Sequence, residues 1–187
     1  YNDPNSVDNS VRLSGIAEIK QDFYIYNDST YVLLGESSWE QAEANANLLG
    51  GNLVSINSKE EQDFIFNTFI ANDQSNDIGK WIGLTDKDKE GDWIWTDGSN
   101  FNDSSYKNWN SGEPNNDGVH ELGSTEGDYG MIWGSAPNSQ NHGSWNDWYN
   151  DPNSVDNSVR LSGIAEIKQD FYIYNDSTYV LLGESSW

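Results

Sequence analysis

The apolar positions in the first half of the chain follow a helical repeat in two places. In stretches 36–51 and 57–73 they recur at three- and four-residue spacing, so that Ala42 and Ala46, for example, share one face. Each stretch starts with a serine that is followed three residues later by glutamine or glutamate, the capping-box pattern of a helix start. Paired glycines end the first stretch. We therefore predict two helices.

Short runs of β-branched and aromatic residues predict strands around these helices. Residues 23–34 form two such runs on either side of a turn at Asn27 and Asp28, which is the pattern of a hairpin. The other predicted strands lie at 52–56, 80–86, 129–135, 143–148 and 158–168. Because the helices come early and most of the short strands come late, the pattern predicts an α+β fold.

Residues 86–128 have a different character, since Asp, Asn, Gly, Ser and Trp dominate and few regular periodicities are present. A structureless run of this length inside a compact domain is usually functional or organised by a metal. We therefore look for the functional site in this region.

The chain contains an exact internal repeat, in which residues 1–39 recur without change as residues 149–187, at an offset of 148 positions. Such identity indicates a recent tandem duplication, a window from a longer array of near-identical units, or an engineered duplication. We place the unit boundaries near Lys20 and Lys168, where no Gly/Ser- or Pro-rich linker intervenes.

These boundaries predict one complete domain with an incomplete repeat on each side of it. Residues 21–168 are the complete domain, residues 1–20 the C-terminal strand of a preceding identical repeat, and residues 169–187 the N-terminal strands of a following one. The two end pieces have no full core of their own. We therefore expect them to pair with another copy.

Charge and composition exclude several function classes. The formal net charge of -22 argues against nucleic acid and anionic membrane surfaces as partners. No apolar run approaches the ~20 residues of a membrane-spanning helix, so no membrane insertion is expected. The absence of cysteine excludes thiolate zinc sites and iron–sulfur clusters, and two histidines, His120 and His142, cannot form a histidine-rich metal site. The excess carboxylates serve solubility or bind divalent cations.

Four motifs together resemble the C-type lectin-like domain: "SSWEQAEANANLLGGNLVSI", "WIGLTD", "NWNSGEPN" and "GSWNDW". The resemblance is to a cysteine-free, bacterial-type member in a tandem array. It implies that the first and last strands pair at the base and that the long loop region binds calcium and sugar. It also implies that the family's disulfides would join positions 46 and 165, and positions near 129 and 150. Ala46, Ala165, Tyr129 and Asn150 stand there instead, so other interactions must replace bridges that typically contribute about 2–5 kcal/mol each.

The stretch "SGEPNNDG" carries candidate calcium ligands. Glu113 and Asn115 place a carboxylate and a carboxamide on either side of Pro114, and Ca²⁺ prefers six to eight oxygen ligands of these kinds. Proline permits a cis peptide bond, which would aim both side chains at one point. Asn146 and Asp147 form a second amide–carboxylate pair. The resemblance implies that these four residues hold a Ca²⁺ that binds two neighbouring hydroxyls of a mannose-type sugar.

The resemblance also implies a fifth ligand, a glutamate between the two motifs. Glu121 lies eight residues after Glu113, the usual spacing, whereas Glu126 lies closer to the strand that begins "DYGMI". We favour Glu121 and leave Glu126 open. The predicted metal and sugar contacts are then Glu113, Asn115, Glu121, Asn146 and Asp147.

A second calcium site is predicted at "TDKDKEGD". Asp86 and Glu90 lie four residues apart, which matches the auxiliary site of the family, and Asn116 or Asp117 could complete it. The alternative is a solvated charged loop.

Three functions are compatible with these residues. The first is a calcium-dependent, mannose-type carbohydrate-binding unit of an extracellular or cell-surface tandem array or adhesin, where repetition supplies avidity. The second is a structural subunit of an extracellular filament that calcium rigidifies and whose repeats associate with one another. The third is a glycosidase, which needs paired carboxylates with a raised pKa on the acid. Nothing in the sequence singles out such an acid, so we predict that the chain is not an enzyme.

Overall fold

The computed structural model describes residues 16–19, 22–71, 73, 78–116, 126–134, 142–150, 161–168, 171–174 and 177–181. The chain divides into two compact units. Residues 21–169 form one unit, one residue longer than the domain 21–168 predicted above, and we keep the name complete domain for this unit. Residues 1–20 and 170–187 form the other, which we name the terminal sheet.

The first predicted helix is confirmed as α1, which spans Trp39–Leu48. The Ser38 hydroxyl accepts a hydrogen bond from the Gln41 backbone N–H at 3.3 Å, so the predicted cap forms. Gly50 has a φ of 84° just past the helix end, where a residue with a Cβ would be strained. Ala42 and Ala46 are both fully buried, as their shared face predicts.

The second predicted helix is confirmed as α2, which spans Lys59–Ile65 and continues as one π-helical turn over Phe66–Ile70. The Ser58 hydroxyl accepts a hydrogen bond from the Glu61 backbone N–H at 3.1 Å and caps the start. The sequence pattern predicts a continuous helical face here, but it does not distinguish the wider π turn from an α turn.

The described residues contain eleven strands, numbered β1 to β11 in chain order. Their bounds are Ile16–Ile19, Phe23–Tyr26, Ser29–Glu36, Asn52–Leu53, Gly79–Thr85, Ile94–Trp95, Tyr129–Trp133, Trp145–Trp148, Leu161–Ile167, Phe171–Tyr174 and Ser177–Leu181.

The complete domain is built on one mixed sheet with the strand order β2-β3-β9-β5-β7-β8, with β4 beside β9 and β6 beside β5. β3 and β9 are antiparallel, with Val32 opposite Ala165. β5 and β9 are parallel, with Lys80 opposite Ser162. The N-terminal hairpin therefore lies beside the last strand, with β3 between β2 and β9, and β5, β7 and β8 continue the sheet towards the loop region.

Small residues let α1 lie close to β9. Ala46 and Ala165, the two positions where the resemblance implies a disulfide, are fully buried. A Cβ added to Gly163 would lie 3.0 Å from the Ala42 Cβ, so the helix and the strand are already in close contact. Small, fully buried side chains therefore stand at both positions of the implied bridge.

Tryptophans supply much of the remaining core. The Trp39 indole N–H donates to the Ile82 carbonyl at 2.8 Å, and the Trp81 indole N–H donates to the Ser37 carbonyl at 2.9 Å. These bonds satisfy the polar end of each buried ring. The largest fully buried aromatic side chains are Trp39, Trp81, Trp95, Trp145 and Tyr31.

The terminal sheet has three antiparallel strands in the order β1-β11-β10. β1 comes from the first end piece of the chain, and β10 and β11 come from the second. In this structure the two end pieces therefore pair with each other.

Candidate functional site

β8 carries the predicted Asn146–Asp147 pair into a buried position. The strand pairs with β7, and Asp147 lies opposite Gly130. Asn146 and Asp147 are 7% and 5% exposed. The Asn146 carboxamide donates to the Asp147 backbone carbonyl at 2.7 Å. Both side chains therefore have fixed surroundings.

Trp145 fixes β8 against the long loop. Its backbone N–H donates to the Asn108 carbonyl at 2.7 Å, and its carbonyl accepts from the Asn110 N–H at 2.8 Å. Its buried indole meets three aromatic rings edge-on, with ring centroids 5.7 to 5.8 Å apart: Trp95, Tyr106 and Trp109. The loop and the strand with the two candidate ligands are thus joined by backbone hydrogen bonds and by aromatic packing.

Gln62 on α2 holds the same strand, a role that was not predicted from the sequence. Its side chain is 5% exposed. Its Oε1 accepts from the Trp145 indole N–H at 2.8 Å, and its Nε2 donates to the Gly143 carbonyl at 2.9 Å. The Asn108 carboxamide donates to the same carbonyl at 2.8 Å. A single amide therefore fixes both the start of β8 and its anchoring ring.

The Asp147 carboxylate joins β8 to the proline-containing loop. Its Oδ2 accepts from the backbone N–H groups of Asn115 at 3.1 Å and Asn116 at 2.6 Å. Its Oδ1 is buried and has no hydrogen-bond partner in the part of the chain that the structure describes. Because a buried carboxylate oxygen without a partner is costly, the arrangement fits a group that binds a cation.

The loop has the backbone shape that the sequence allowed. The Glu113–Pro114 peptide bond is cis, and Gly112 and Asn116 have φ values of 97° and 53°. Glu113 is half-buried, whereas the Asn115 side chain is exposed and accessible to a ligand. The structure thus brings Glu113 and Asn115 into the same loop that lies on the Asp147 carboxylate.

Of the two candidates for the fifth ligand, the structure describes only one. Glu121 lies outside the described residues. Glu126 is described and exposed, and it precedes Gly127, whose N–H donates to the Asn116 side-chain oxygen at 2.7 Å. A Cβ on Gly127 would lie 2.9 Å from Asp147 Oδ2, which accounts for a glycine at this close approach.

A second acidic cluster lies where β5 ends and β7 begins. One carboxylate oxygen from each of Asp86, Glu90 and Asp128 lies within 4.8 Å of the others. Asp86 Oδ2 accepts from the Gly91 N–H at 2.9 Å, whereas its Oδ1 is buried without a partner among the described residues. The Asp86 N–H donates to the Asp128 carbonyl at 3.2 Å, which ties the two strand ends together.

Burial and neighbouring negative charges raise the pKa of two of these carboxylates, Asp86 and Asp128. The pKa of Asp86 is raised to about 6, mainly by burial, with smaller contributions from the charges of Glu90 and Asp128 and against the lowering effect of the Gly91 hydrogen bond. Burial also raises the pKa of Asp128, and the charge of Glu126 adds to this. A divalent cation would reverse both effects, since it favours the ionised form.

Asp86 and Glu90 were predicted from the sequence as members of this cluster, whereas Asp128 was not. The available signal was its position, because Asp128 immediately precedes the strand that pairs with β5. Asn116 lies nearby through its bond to Gly127, whereas the alternative Asp117 lies outside the described residues.

A third polar cluster lies away from the loops and is satisfied internally. The Glu166 carboxylate on β9 accepts from the Ser29 hydroxyl at 2.8 Å, and the Tyr31 hydroxyl donates to Glu61 at 2.9 Å. Burial raises the pKa of Glu166, and Lys168, 3.8 Å away, acts in the opposite direction. The cluster lines a cavity of about 440 Å³ and links β3, α2 and β9, which is a structural role.

Known proteins resemble this chain over the complete domain. The family described as "Lectin C-type domain" matches residues 35–149, more than half of the chain. The low affinity immunoglobulin epsilon Fc receptor of Mus musculus is 41% identical over 113 residues, which cover 60% of this chain and 28% of the receptor. The galactose-specific lectin nattectin of Thalassophryne nattereri is 39% identical over 103 residues, which cover 54% of this chain and 62% of the lectin.

A solved structure agrees with these relatives. The cow C-type carbohydrate-recognition domain of CD23, in the presence of GlcNAc2Man3 oligosaccharide, matches with a TM-score of 0.58 and 32% identity. The match covers 77% of this chain and 91% of that domain. The chain spans less than two thirds of the length of the curated relatives named above. Within the described residues, no helix has the length and apolar character to cross a membrane.

Proposed function

This chain belongs to the C-type lectin domain family, and from that premise we propose that its complete domain is a calcium-dependent carbohydrate-binding module. The family comprises binding domains that generally use Ca²⁺, and not enzymes, so the prediction that this chain is no enzyme is confirmed at the family level. Because relatives of this kind are mostly extracellular or cell-surface receptors, we place the chain there as well.

One observation carries the proposal, namely the divided carboxylate of Asp147. One oxygen holds the loop through two backbone N–H groups, and the other is buried without a partner in the described residues. Asn115, whose backbone N–H is one of these two donors, has an exposed side chain. A buried anion next to an exposed carboxamide is the donor set that suits a hard cation open to a ligand on one side.

The residues that would hold this ion are the predicted set: Glu113, Asn115, Asn146 and Asp147, with Glu121 or Glu126 as the fifth ligand. A bound Ca²⁺ would leave coordination positions for two neighbouring sugar hydroxyls. Around it, the Glu113 carboxylate would accept hydrogen bonds from those hydroxyls and the Asn115 carboxamide would donate to them. Asp147 would keep the loop in place. We infer mannose-type sugars from the Glu113-Pro114-Asn115 sequence.

A second Ca²⁺ is proposed at Asp86, Glu90 and Asp128, with Asn116 as a neighbouring ligand. The buried, unpartnered Asp86 Oδ1 and the raised pKa of Asp86 support a cation there, because three close carboxylates are unfavourable without one. This ion would be structural, since it lies where β5 and β7 are tied together.

A second candidate function is a structural repeat of an extracellular filament or adhesin array. It is favoured by the exact repeat and by the absence of a flexible linker at the unit boundary. In this case calcium rigidifies each domain, the repeats self-associate, and sugar binding is secondary. The two candidates differ in whether the loop binds sugar once calcium is present.

Calorimetry separates these candidates. We would titrate Ca²⁺ into the chelator-stripped chain, and then mannose and galactose separately into the calcium-loaded chain. We expect calcium heat and a saturable mannose signal stronger than that of galactose. Heat of calcium binding without any heat of sugar binding would favour the structural repeat. A preference for galactose would refute only the mannose assignment. The absence of any heat of calcium binding would refute the proposal.

A matched pair of variants tests the residues. Asn115→Asp should abolish retention on immobilised mannose, because it replaces a donor and acceptor with an acceptor alone. Asn100→Asp makes the same charge change at an exposed position outside the cluster and should be retained like the wild type. Equal retention of both variants would show that Asn115 is not a sugar ligand.

A further inference from the structure

The terminal sheet repeats the base of the complete domain pair by pair. β3 and β9 align Thr30 with Ile167. β11 and β1 align Thr178 with Ile19. The offset of 148 residues converts one alignment into the other, and the same holds for all four pairs of β1. The same two sequence segments therefore adopt one register in two places.

The hairpin next to this joint is repeated as well. β10 and β11 align Phe171 with Val180, as β2 and β3 align Phe23 with Val32. In the complete domain, helices, strands and loops connect β3 to β9, whereas no such segment runs directly from β11 to β1. The same register therefore forms without the connecting segment, as expected where the strand sequences specify the register.

We propose that this pairing is an association joint between copies, in which β1 of one copy pairs with β11 of the next. The partner is a second copy of this chain, recognised by antiparallel backbone hydrogen bonds in the register described. Each copy of the chain contains both strands of the joint, β1 and β11. The inference extends the self-association in the proposed function and does not require calcium or sugar.

An open strand edge supports association. Among the described residues, β1 has a partner on one edge only, whereas its counterpart β9 has β3 on one edge and β4 and β5 on the other. Ala17 occupies the place of Ala165, which pairs with Leu53 in the complete domain. Unpaired backbone groups along a strand edge are a template for another strand.

Closure within one chain competes with association between chains. Closure of two segments on one chain corresponds to an effective concentration on the order of millimolar or lower, depending on the span. Each copy carries a net charge of -22, so repulsion opposes association at low salt. Because the Debye length falls to ~3 Å at 1 M ionic strength, high salt should favour the joint between copies.

Two complementary variants of the full chain test the joint. Val180→Pro blocks β11, which is the central strand of its sheet and uses its N–H groups towards both neighbours. Ala17→Pro combined with Glu18→Pro blocks β1, because successive N–H groups of a strand point to opposite edges and one of the two must face β11. Neither variant can close on itself, but each retains the half that the other lacks.

We expect each variant alone to sediment with the mass of one 21.0 kDa chain at high salt. An equimolar mixture should give a species of about twice that mass, with one joint and no further growth. A mixture that stays at single-chain mass would overturn the inference, as would either variant associating alone.

The same samples show whether the complete domain is intact. Thermal unfolding, calcium heat and mannose retention should match those of the wild type in both variants, since neither changes residues 21–168. If the mixture sediments at the mass of a single chain while both variants are still retained on mannose, the joint is refuted and the proposed function stands. If the mixture doubles while calcium and sugar are not bound, the joint stands and the proposed function is refuted.

Discussion

Asp147 combines two tasks in one side chain. Its Oδ2 organises the loop, and its Oδ1 remains buried without a partner among the described residues. An aspartate that only stabilised the loop would lose little if its charge were removed. An aspartate that binds a cation would lose the cation.

Replacement of Asp147 by asparagine separates these tasks, because the carboxamide oxygen can still accept from both N–H groups. We expect Asp147→Asn to weaken calcium binding by more than about tenfold, or ~1.4 kcal/mol, while the metal-free chain unfolds at the same or a higher temperature. Titration calorimetry and thermal unfolding in chelator measure the two effects. Asp103→Asn, at a fully exposed site, is the control, and wild-type calcium affinity in Asp147→Asn would contradict the assignment.

Asp86 should make the metal-free domain sensitive to pH. Its folded pKa, about 6, is higher than the unfolded value of 3.8, so the folded state holds the proton more tightly. The resulting stability is fully present below about pH 4 and is lost as the pH rises through about 6. Calcium binding should show the opposite trend and weaken as the pH falls below about 6, because it requires the ionised group.

We therefore expect the unfolding temperature in chelator to fall between about pH 4 and pH 7 more steeply for the wild type than for Asp86→Asn. Asparagine retains an oxygen for the Gly91 N–H but does not titrate. Parallel pH profiles of the two proteins would show that Asp86 does not titrate in this range.

At the scale of elements, α2 positions the loop strand through one amide. Gln62 contacts the Trp145 ring and the Gly143 carbonyl, and neither is a candidate ligand. Its contribution to binding is therefore indirect, since it orders the strand that carries Asn146 and Asp147.

Gln62→Met keeps the volume and removes both hydrogen bonds. We expect a loss of about 1–3 kcal/mol in stability, because the indole N–H is left buried without a partner. We also expect weaker mannose retention at saturating calcium. Gln41→Met is the control, since the Gln41 carboxamide is exposed and donates only to Asn45 in the described structure. Reduced stability with unchanged retention would show that Gln62 is structural only.

The contact between α1 and β9 should accept a disulfide. Ala42 and Ala46 are one helical turn apart, about 6 Å, and Gly163 and Ala165 are two strand residues apart, about 6.6 Å. Because Gly163 faces Ala42, Ala46 should face Ala165. We expect the double variant Ala46→Cys and Ala165→Cys to oxidise spontaneously and to stabilise the domain by about 2–4 kcal/mol, as measured by denaturant unfolding with and without reductant.

Single cysteines at the same positions serve as controls, and persistent free thiols in the double variant would contradict the packing argument.

Features that depend on nearby residues were predictable from the sequence, whereas contacts between residues far apart in the chain were not. The helices and their starts were predictable because caps and periodicity are local, as Ser38 and Ser58 illustrate. The bond between Gln62 and Trp145 joins residues 83 positions apart, so it depends on the path of the whole chain. Asp128 was missed for the same reason, since it completes its cluster only when β7 pairs with β5.

At the scale of the whole molecule, charge opposes compactness. The chain has 31 acidic residues and only 9 basic ones. Carboxylates gather at the two candidate calcium sites, one at Asp147 and one at Asp86, Glu90 and Asp128. The folded state therefore has more to gain from cations than a neutral domain of the same size.

We expect Ca²⁺ to raise the unfolding temperature by several degrees, because binding to the folded state adds about 2.7 kcal/mol at one hundred times the Kd. Mg²⁺ should have a smaller effect, since it demands a regular octahedral set of ligands. Scanning calorimetry in Ca²⁺, in Mg²⁺ and in chelator measures this, with equal ionic strength as the control. Equal effects of the two ions would indicate screening alone.

Asn116 connects the two candidate calcium sites. Its backbone N–H bonds to Asp147, and its side-chain oxygen bonds to the N–H of Gly127, next to Asp128. An ion bound at one site orders Asn116, so an ion that binds at the other site no longer has to bear the entropic cost of ordering it. This difference is a coupling free energy between the two sites. The coupling is reciprocal, so calcium uptake should be cooperative, with a Hill coefficient above one. A sugar that binds through one ion should tighten the hold on the other.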